Sequence, residues 1–445
     1  MNRPTKSQRI ILVLVAFGFI AGSAGAGEPC VPYWDRSIGN PGPEGEVRAW
    51  AVDGDGVVFA GGAFQSIGAL QANFVAAWDG AQWTALNEGV GAPVRTLAMF
   101  QGDLYAGGSF FDAGGIAAAR LARWNGFQWS PVGAGEGADG NVMVLATASV
   151  GGSPALYAGG LFQNMGGSPA AHIARWNGAD WAPLGKGVTT PGSPSAVYAI
   201  TEVDLGDGPM LAVGGLFTTA GGLPAQNIAL WDGVAWSSLD AGVDGPVRAL
   251  AVFDDGSGPA LYAAGSFLSA GAVPAKRIAR WDGASWSTVG ANGSWGSGST
   301  ISTLTVFNDG AGPRLIAGGD FLLADGLPEA QRIACWDGDQ WSAVVGGADN
   351  QVTALLADQS ASEERLLVGG AFMQIGGLPA LSAGVRMGCS VSLTFGDLNG
   401  DNLVDTADLG LLLARFGTTD PDADLNSDGF VDTADLGLLL ANFGV

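Results

Sequence analysis

"RIARWDGASWSTVG" occupies residues 277–290, and it is one of six stretches that set two tryptophans around Asp-Gly or Asn-Gly. The pattern W-[DN]-G-x-x-W falls at Trp78/Trp83, Trp124/Trp129, Trp176/Trp181, Trp231/Trp236, Trp281/Trp286 and Trp336/Trp341, using twelve of the fifteen tryptophans. Asp-Gly between β-like runs is a strong hairpin signal, because a type I′ turn needs positive φ at both central residues. A turn centred on Asp282-Gly283 pairs Trp281 with Ala284 and Ala279 with Trp286. Paired residues share a face, so both tryptophans are expected on one side of the hairpin, diagonal to each other. The strict register points to packing between repeats; a tryptophan ladder for sugar is the competing reading.

A second landmark, "AGGAF" ending at Phe64, returns in variant form at Phe110, Phe162, Phe217, Phe267, Phe321 and Phe372. The mean spacing is about 51 residues, the length of a four-stranded repeat. Within one unit the strands are read as a, 247–253; b, 260–267; c, 277–281; and d, 285–290, with turn-rich segments such as "LSAGAVPAK" between them. An apolar strand that closes on Gly-Gly, followed by a tryptophan hairpin, resembles the kelch-type β-propeller repeat over residues 30–389. The tyrosine that kelch repeats carry shortly before the tryptophan is absent. The resemblance implies an all-β, seven-bladed propeller.

Seven glycine landmarks stand against six tryptophan hairpins. The last unit, "LLVGGAFMQIGGLPALSAGVRMGC" (366–389), has Arg386 in the place of the first tryptophan and lacks a strand d. "PYWDRSIG" (32–39) supplies that strand, with Trp34 as its tryptophan. Closing the ring this way removes an exposed sheet edge. It also brings Cys30 and Cys389 to one turn, where a secreted chain is expected to join them as a disulfide clasp. Cys335, in "IACWDG", is expected to be a buried free thiol.

Arg3, Lys6 and Arg9 precede the apolar run 10–20, and Ala24-Gly25-Ala26 offers a cleavage site. The run is too short to span a bilayer. Residues 1–26 are read as a signal peptide and the mature chain as secreted, extracellular or at the cell surface, an uncleaved anchor being the alternative. A propeller at 27–389, a linker at 390–396 and a tail domain at 397–445 complete the expected organisation. The net charge of −23 argues against nucleic acid or anionic membrane as a partner.

The tail says one thing twice: "DLNGDNLVDTADLGLLLARFG" (397–417) and "DLNSDGFVDTADLGLLLANFG" (424–444). It holds ten aspartates against one basic residue, Arg415. Oxygen side chains fall at loop positions 1, 3, 5, 9 and 12, which is the spacing of an EF-hand calcium loop. They are Asp397, Asn399, Asp401, Asp405 and Asp408, then Asp424, Asn426, Asp428, Asp432 and Asp435. The carbonyls of Leu403 and Phe430 stand at position 7. Hard oxygen ligands suit calcium, so two ions are expected. Each loop leads into a short apolar helix, whose faces (Leu409, Leu412, Leu413, Phe416; Leu436, Leu439, Leu440, Phe443) are expected to pack together.

Aspartate at position 12, the lack of a preceding helix and the duplication resemble the type I dockerin, a small EF-hand-like helical module of secreted enzymes. The resemblance covers about residues 393–445 and implies docking onto a cohesin domain, in polysaccharide degradation. It assigns partner contact to Thr406-Ala407 and Thr433-Ala434, with Arg415 and Asn442 further along. A secreted calcium-binding pair without a partner is the alternative.

A single histidine, His172, rules out multi-histidine metal sites and leaves Ser-His-Asp catalysis without support. His172 precedes a strand c where Asn227 and Arg277 stand in sibling repeats, which favours a structural role. Carboxylates on the d–a and b–c connections (Glu44, Glu46, Asp112, Glu136, Asp139, Asp240, Asp244, Asp325 and Asp349) keep glycosidase chemistry open as a second reading. Trp295, off the repeat register, is the candidate for an exposed sugar-stacking platform, with burial over its blade as the other possibility. The leading reading is a non-catalytic secreted binding protein carried on a calcium-dependent docking module; a propeller glycosidase or lyase and a structural calcium-binding surface protein are the alternatives.

Overall fold

The computed structural model describes residues 33–35, 37–133, 136–291, 293, 295–296, 298–309, 312–358, 364–387, 404, 406–418, 423, 425, 430–441 and 443. The chain divides into a unit Pro32–Val391 and a second comprising Met1–Val31 with Ser392–Val445.

Among its described residues the larger unit holds seven four-stranded antiparallel sheets. In the fifth, strands a to d run Val247–Asp254, Pro259–Gly265, Ile278–Trp281 and Trp286–Thr288, close to the bounds read from the sequence. Strand a buries alternate residues, whereas strand b is buried along nearly its whole length. An alternating strand has one face against a neighbour and one against an open space; a continuously buried strand is covered on both faces. The a strands touch one another in chain order, and Val47–Val52 also touches Val352–Asp358, so the ring closes.

The repeated double glycine follows from this packing. A Cβ on the first glycine would lie 2.6 Å from a valine methyl of the next sheet at Gly61 (against Val94) and Gly107 (against Val142). The same holds across the seam, where Gly369 meets Val47 at 2.7 Å. A side chain at these positions would force adjacent sheets apart.

The seam is built as the sequence indicated. Tyr33–Asp35 pairs with Ala383–Met387, setting Trp34 opposite Arg386. The Arg386 guanidinium lies 5.6 Å from the Trp34 ring, a cation–π contact in the place of a tryptophan pair. Cys30 and Cys389 lie outside the described residues. Cys335 is buried and free, and burial pushes its thiol up from the ordinary range.

Two local expectations are corrected. Trp281 pairs directly with Trp286, not with Ala284, and Ala279 pairs with Thr288. Asp282 flanks the turn instead of entering it: its carboxylate accepts the Ala284 and Ser285 N–H groups at 2.9 and 2.8 Å, and only Gly283, at φ 101°, takes a positive φ. Glycine at the first central position is the type II′ arrangement. The tryptophans still share a face, but directly opposed, with ring centroids 5.2 Å apart. The segments between strands b and c are also more ordered than turn-rich sequence suggested. Most form small hairpins, such as Asp112–Ala113 with Ile116–Ala117, whose Gly114-Gly115 turn has φ of 56° and 74°.

In most pairs the second tryptophan ties its sheet to the one before. Indole N–H groups of Trp83, Trp129, Trp236 and Trp286 donate to the carbonyls of Ile38, Leu86, Leu184 and Leu239 at 2.8–3.1 Å. This packing role leaves no tryptophan ladder open to solvent.

In the smaller unit, α1 (Thr406–Arg415) and α2 (Thr433–Ala441) touch, around a cluster of Val404, Leu412, Ala423, Val431 and Leu439. Only half of each expected apolar face is inside. Leu409 and Leu436 pack against the cluster, but Leu413, Phe416, Leu440 and Phe443 are exposed. Two short helices meet along one narrow stripe, so side chains a further turn round each helix stay outside. Among the described residues no helix is long and apolar enough to cross a membrane.

Candidate functional site at the channel mouth

Each a strand departs from regular pairing near its start. The register skips between Val47/Ala49, Val94/Thr96, Val142/Val144, Val197/Ala199, Val247/Ala249, Ile301/Thr303 and Val352/Ala354. A bulge re-aims the extra side chain. The seven residues so displaced are Arg48, Arg95, Met143, Tyr198, Arg248, Ser302 and Thr353, and all seven line a cavity of about 400 Å³ among the a strands. Leu97, Ile200, Leu250, Leu304 and Leu355 line the same cavity.

Three arginines thus converge in a chain of net charge −23. Arg48 is neutralised: its Nη2 lies 2.6 Å from Glu46 Oε2, and Gln351 donates to the other oxygen at 3.0 Å. Among the described residues Arg95 has no such ion pair. Burial, then the Arg48 charge, pushes its guanidinium below the ordinary range, with Glu46 opposing, and its Nε is buried without a hydrogen bond. An arginine so placed stays protonated. Arg248 stacks over the Tyr198 ring at 5.0 Å.

The d–a and b–c connections meet on the face at this mouth, as isolated bridges Pro43↔Ile67, Val90↔Ala113, Val243↔Ala270 and Ala348↔Ile375 show. At or just beyond the ends of the b strands, Phe111, Leu161, Leu216, Leu268, Leu322 and Met373 are exposed.

Several carboxylates considered for catalysis are engaged in loop structure. Asp139 accepts the N–H groups of Gln163 and Asn164, Asp244 those of Leu268 and Ser269, and Asp349 those of Met373 and Gln374. Burial pushes the Asp139 and Asp244 carboxyls up, but these donors outweigh it and hold both below the usual range. Asp325 likewise accepts from Ala291 and Gly293. A general acid needs the opposite, a raised pKa.

His172 is buried, burial pushes its imidazole below the ordinary range, and it is bonded to Gln163 at 2.9 Å. Its φ of 73° matches Arg120, Asn227, Arg277, Arg332 and Ser382 at equivalent places, so the position serves backbone geometry. Trp295 is a correction to the platform expectation. It is 2% exposed, edge-on to Phe321 and Trp341 at 4.9 Å each, because a large apolar ring gains more from that pocket than from solvent.

Of the expected calcium ligands, Asp408, Phe430, Asp432 and Asp435 are described; Asp397, Asn399, Asp401, Leu403, Asp405, Asp424, Asn426 and Asp428 lie outside the described residues. Asp408 and Asp435 are fully buried, each in the first turn of its helix. The Asp432 N–H donates to Asp435 Oδ2 at 2.7 Å. Of the expected partner residues, Thr406, Thr433 and Ala434 are exposed, Arg415 is half-buried, and Asn442 lies outside the described residues. Ala407 falls within α1.

No family profile matches the chain, and no curated protein matches it. Among solved structures it is similar to the extracellular domain of a one-component system from B. thetaiotaomicron, with TM-score 0.50 and 12% identity over 81% of this chain and 40% of that one. The chain therefore spans less than half the length of that relative. It is also similar to the WD40 β-propeller domain of Doa1, with TM-score 0.46 and 15% identity over 80% of this chain and 97% of that domain. At these identities the likeness concerns the fold alone; it is the closed ring of four-stranded sheets that makes the larger unit a β-propeller.

The sequence reading missed the arginine mouth. Its signal is a Val-Arg pair opening three a strands, at residues 47–48, 94–95 and 247–248.

Proposed function

We propose that the chain is a secreted, non-catalytic binding protein: a seven-bladed, kelch-like propeller that seats a ligand at the channel mouth, joined to a calcium-dependent dockerin-type tail. The observation that carries the binding half is the convergence of all seven bulged side chains on one cavity. The engagement of Asp139, Asp244, Asp325 and Asp349 with backbone donors favours binding over hydrolysis. Polysaccharide-degrading assemblies are the setting that the tail implies, with cohesin as partner. Glycan-array capture without product release is expected; reducing-sugar release abolished by one loop-carboxylate substitution would replace this reading with the glycosidase one.

The tail reading rests on its donor set and on the burial of Asp408 and Asp435, since buried carboxylates need compensation by cations or donors. Asp397, Asn399, Asp401, Asp405, Asp408 and the Leu403 carbonyl would hold one ion. Asp424, Asn426, Asp428, Asp432, Asp435 and the Phe430 carbonyl would hold the second. Bound calcium supplies charge compensation, so its binding free energy adds to folding. Thr406-Ala407 and Thr433-Ala434, with Arg415 and Asn442, would face the partner. Calorimetric titration of the full chain should give two calcium ions, and cohesin capture should fail in chelator. A stoichiometry of zero removes the calcium sites, and capture that persists in chelator removes the docking mechanism.

A further inference from the structure

We infer that the channel mouth is a receptor for a small organic oxyanion with an apolar body; this rests on the mouth being the ligand site. Three observations select that chemistry. Arg95 and Arg248 line the cavity without an ion pair among the described residues, whereas Glu46, which lines it too and reaches Arg95 only as a more distant charge, is bound to Arg48. A guanidinium fork matches the two oxygens of a carboxylate, sulfate or phosphate and recognises no neutral group as well. Behind the arginines the wall turns aliphatic, through Leu97, Ile200, Leu250, Leu304 and Leu355. A cavity of about 400 Å³ is at the lower end of ordinary small-molecule sites. An oxyanion head would therefore sit between Arg95 and Arg248 while a short apolar body enters the channel. The burial of Arg95 strengthens such a contact, because charge pairs are screened less away from bulk water. It also supplies selectivity: a neutral ligand would leave that guanidinium desolvated and unpaired.

The full-length protein is titrated calorimetrically with hexanoate, hexyl sulfate, 1-hexanol and inorganic phosphate at low salt. The two hexyl anions should bind, hexanol should not, and phosphate, lacking the apolar body, should bind at least about tenfold more weakly. Comparison of hexanoate with hexyl sulfate tells which head group the fork prefers. The double variant Arg95→Gln/Arg248→Gln should lose about tenfold or more in affinity for either hexyl anion, and Arg123→Gln, away from the channel, should lose none. Circular dichroism and melting temperature, unchanged in the double variant, tie its loss to the site and not to unfolding. Hexanol binding as tightly as hexanoate, undiminished affinity in the double variant, or no response to either hexyl anion would each overturn the inference. Capture of an uncharged glycan that competes at the mouth, with no anion response, would sink the oxyanion assignment and leave the binding reading standing. Absence of any ligand at the mouth would remove both.

Discussion

At the scale of single residues, two repeated choices have consequences that can be measured. The first is the glycine that abuts the next sheet. Gly107→Val would put side-chain atoms into Val142 and Thr96 and should destabilise the protein by about 1–3 kcal/mol in denaturant titration. Gly54→Ala, where a Cβ meets nothing within 4 Å, should stay near neutral. The second is the aspartate that flanks four of the six tryptophan hairpins. Backbone N–H groups of Gln82 and Ala81, of Ala235 and Val234, and of Ala284 and Ser285 hold the carboxyls of Asp79, Asp232 and Asp282 below their usual 3.8. A carboxyl whose folded pKa is depressed contributes stability above its unfolded value and loses it as pH falls through the folded one. The triple variant Asp79→Asn/Asp232→Asn/Asp282→Asn should therefore melt somewhat below the parent near pH 7, converge with it below about pH 4, and so flatten the acid limb of melting temperature against pH. Asn125 and Asn177, which already fill this place in two sheets through the same donors, make the variant conservative. An unchanged acid limb would show that these carboxylates carry no pH dependence.

At the scale of elements, the indole N–H that crosses from one sheet to the carbonyl of the one before is the testable joint. Trp236→Phe leaves the Leu184 carbonyl without its donor at 2.8 Å, while Trp181 has no partner for its Nε1 to lose. Both variants lose ring area, so the difference between them isolates the bond. Trp236→Phe should cost about 1 kcal/mol more than Trp181→Phe by urea unfolding. Equal costs would assign the tryptophans to packing alone. Strand order and the supply of the last strand by residues 33–35 were legible because glycine and tryptophan spacing is set by contacts that recur in every sheet. The hairpin register was not, since Asp-Gly is compatible with two turns, and a side-chain acceptor on Asp282 decides between them. Nor was the mouth. A bulge adds one residue without disturbing the apolar alternation of "VRALAVF", and its product, one side chain per repeat, is diluted by Met143, Tyr198, Ser302 and Thr353. Burial of Trp295 against Phe321 and Trp341 depends on a tertiary pocket that no local pattern encodes.

At the scale of the propeller unit, stability converges on one seam. The seventh sheet takes its outermost strand from Tyr33–Asp35, and the Trp34 indole donates to the Val345 carbonyl at 3.0 Å. We expect Cys30 and Cys389, which flank these strands in sequence, to be joined; non-reducing peptide mapping should recover them as one disulfide-linked pair. A bridge closing so long a loop contributes about 6 kcal/mol in the chain-entropy model, so reduction should lower the melting temperature by several degrees. Two free thiols would end the expectation. The same strand exchange also dictates an order of events during synthesis. Sheets one to six hold all their own strands, so each can form as its residues emerge. The seventh cannot be completed until Ala383–Met387 has been made, and residues 33–35 must wait unpaired while more than three hundred later positions are added. A ribosome that stopped short of Val352 would release an open arc of six sheets with two bare flanks, one carrying Val47 and the other Gly318. Quality control could tell such a product from the finished ring by those flanks alone.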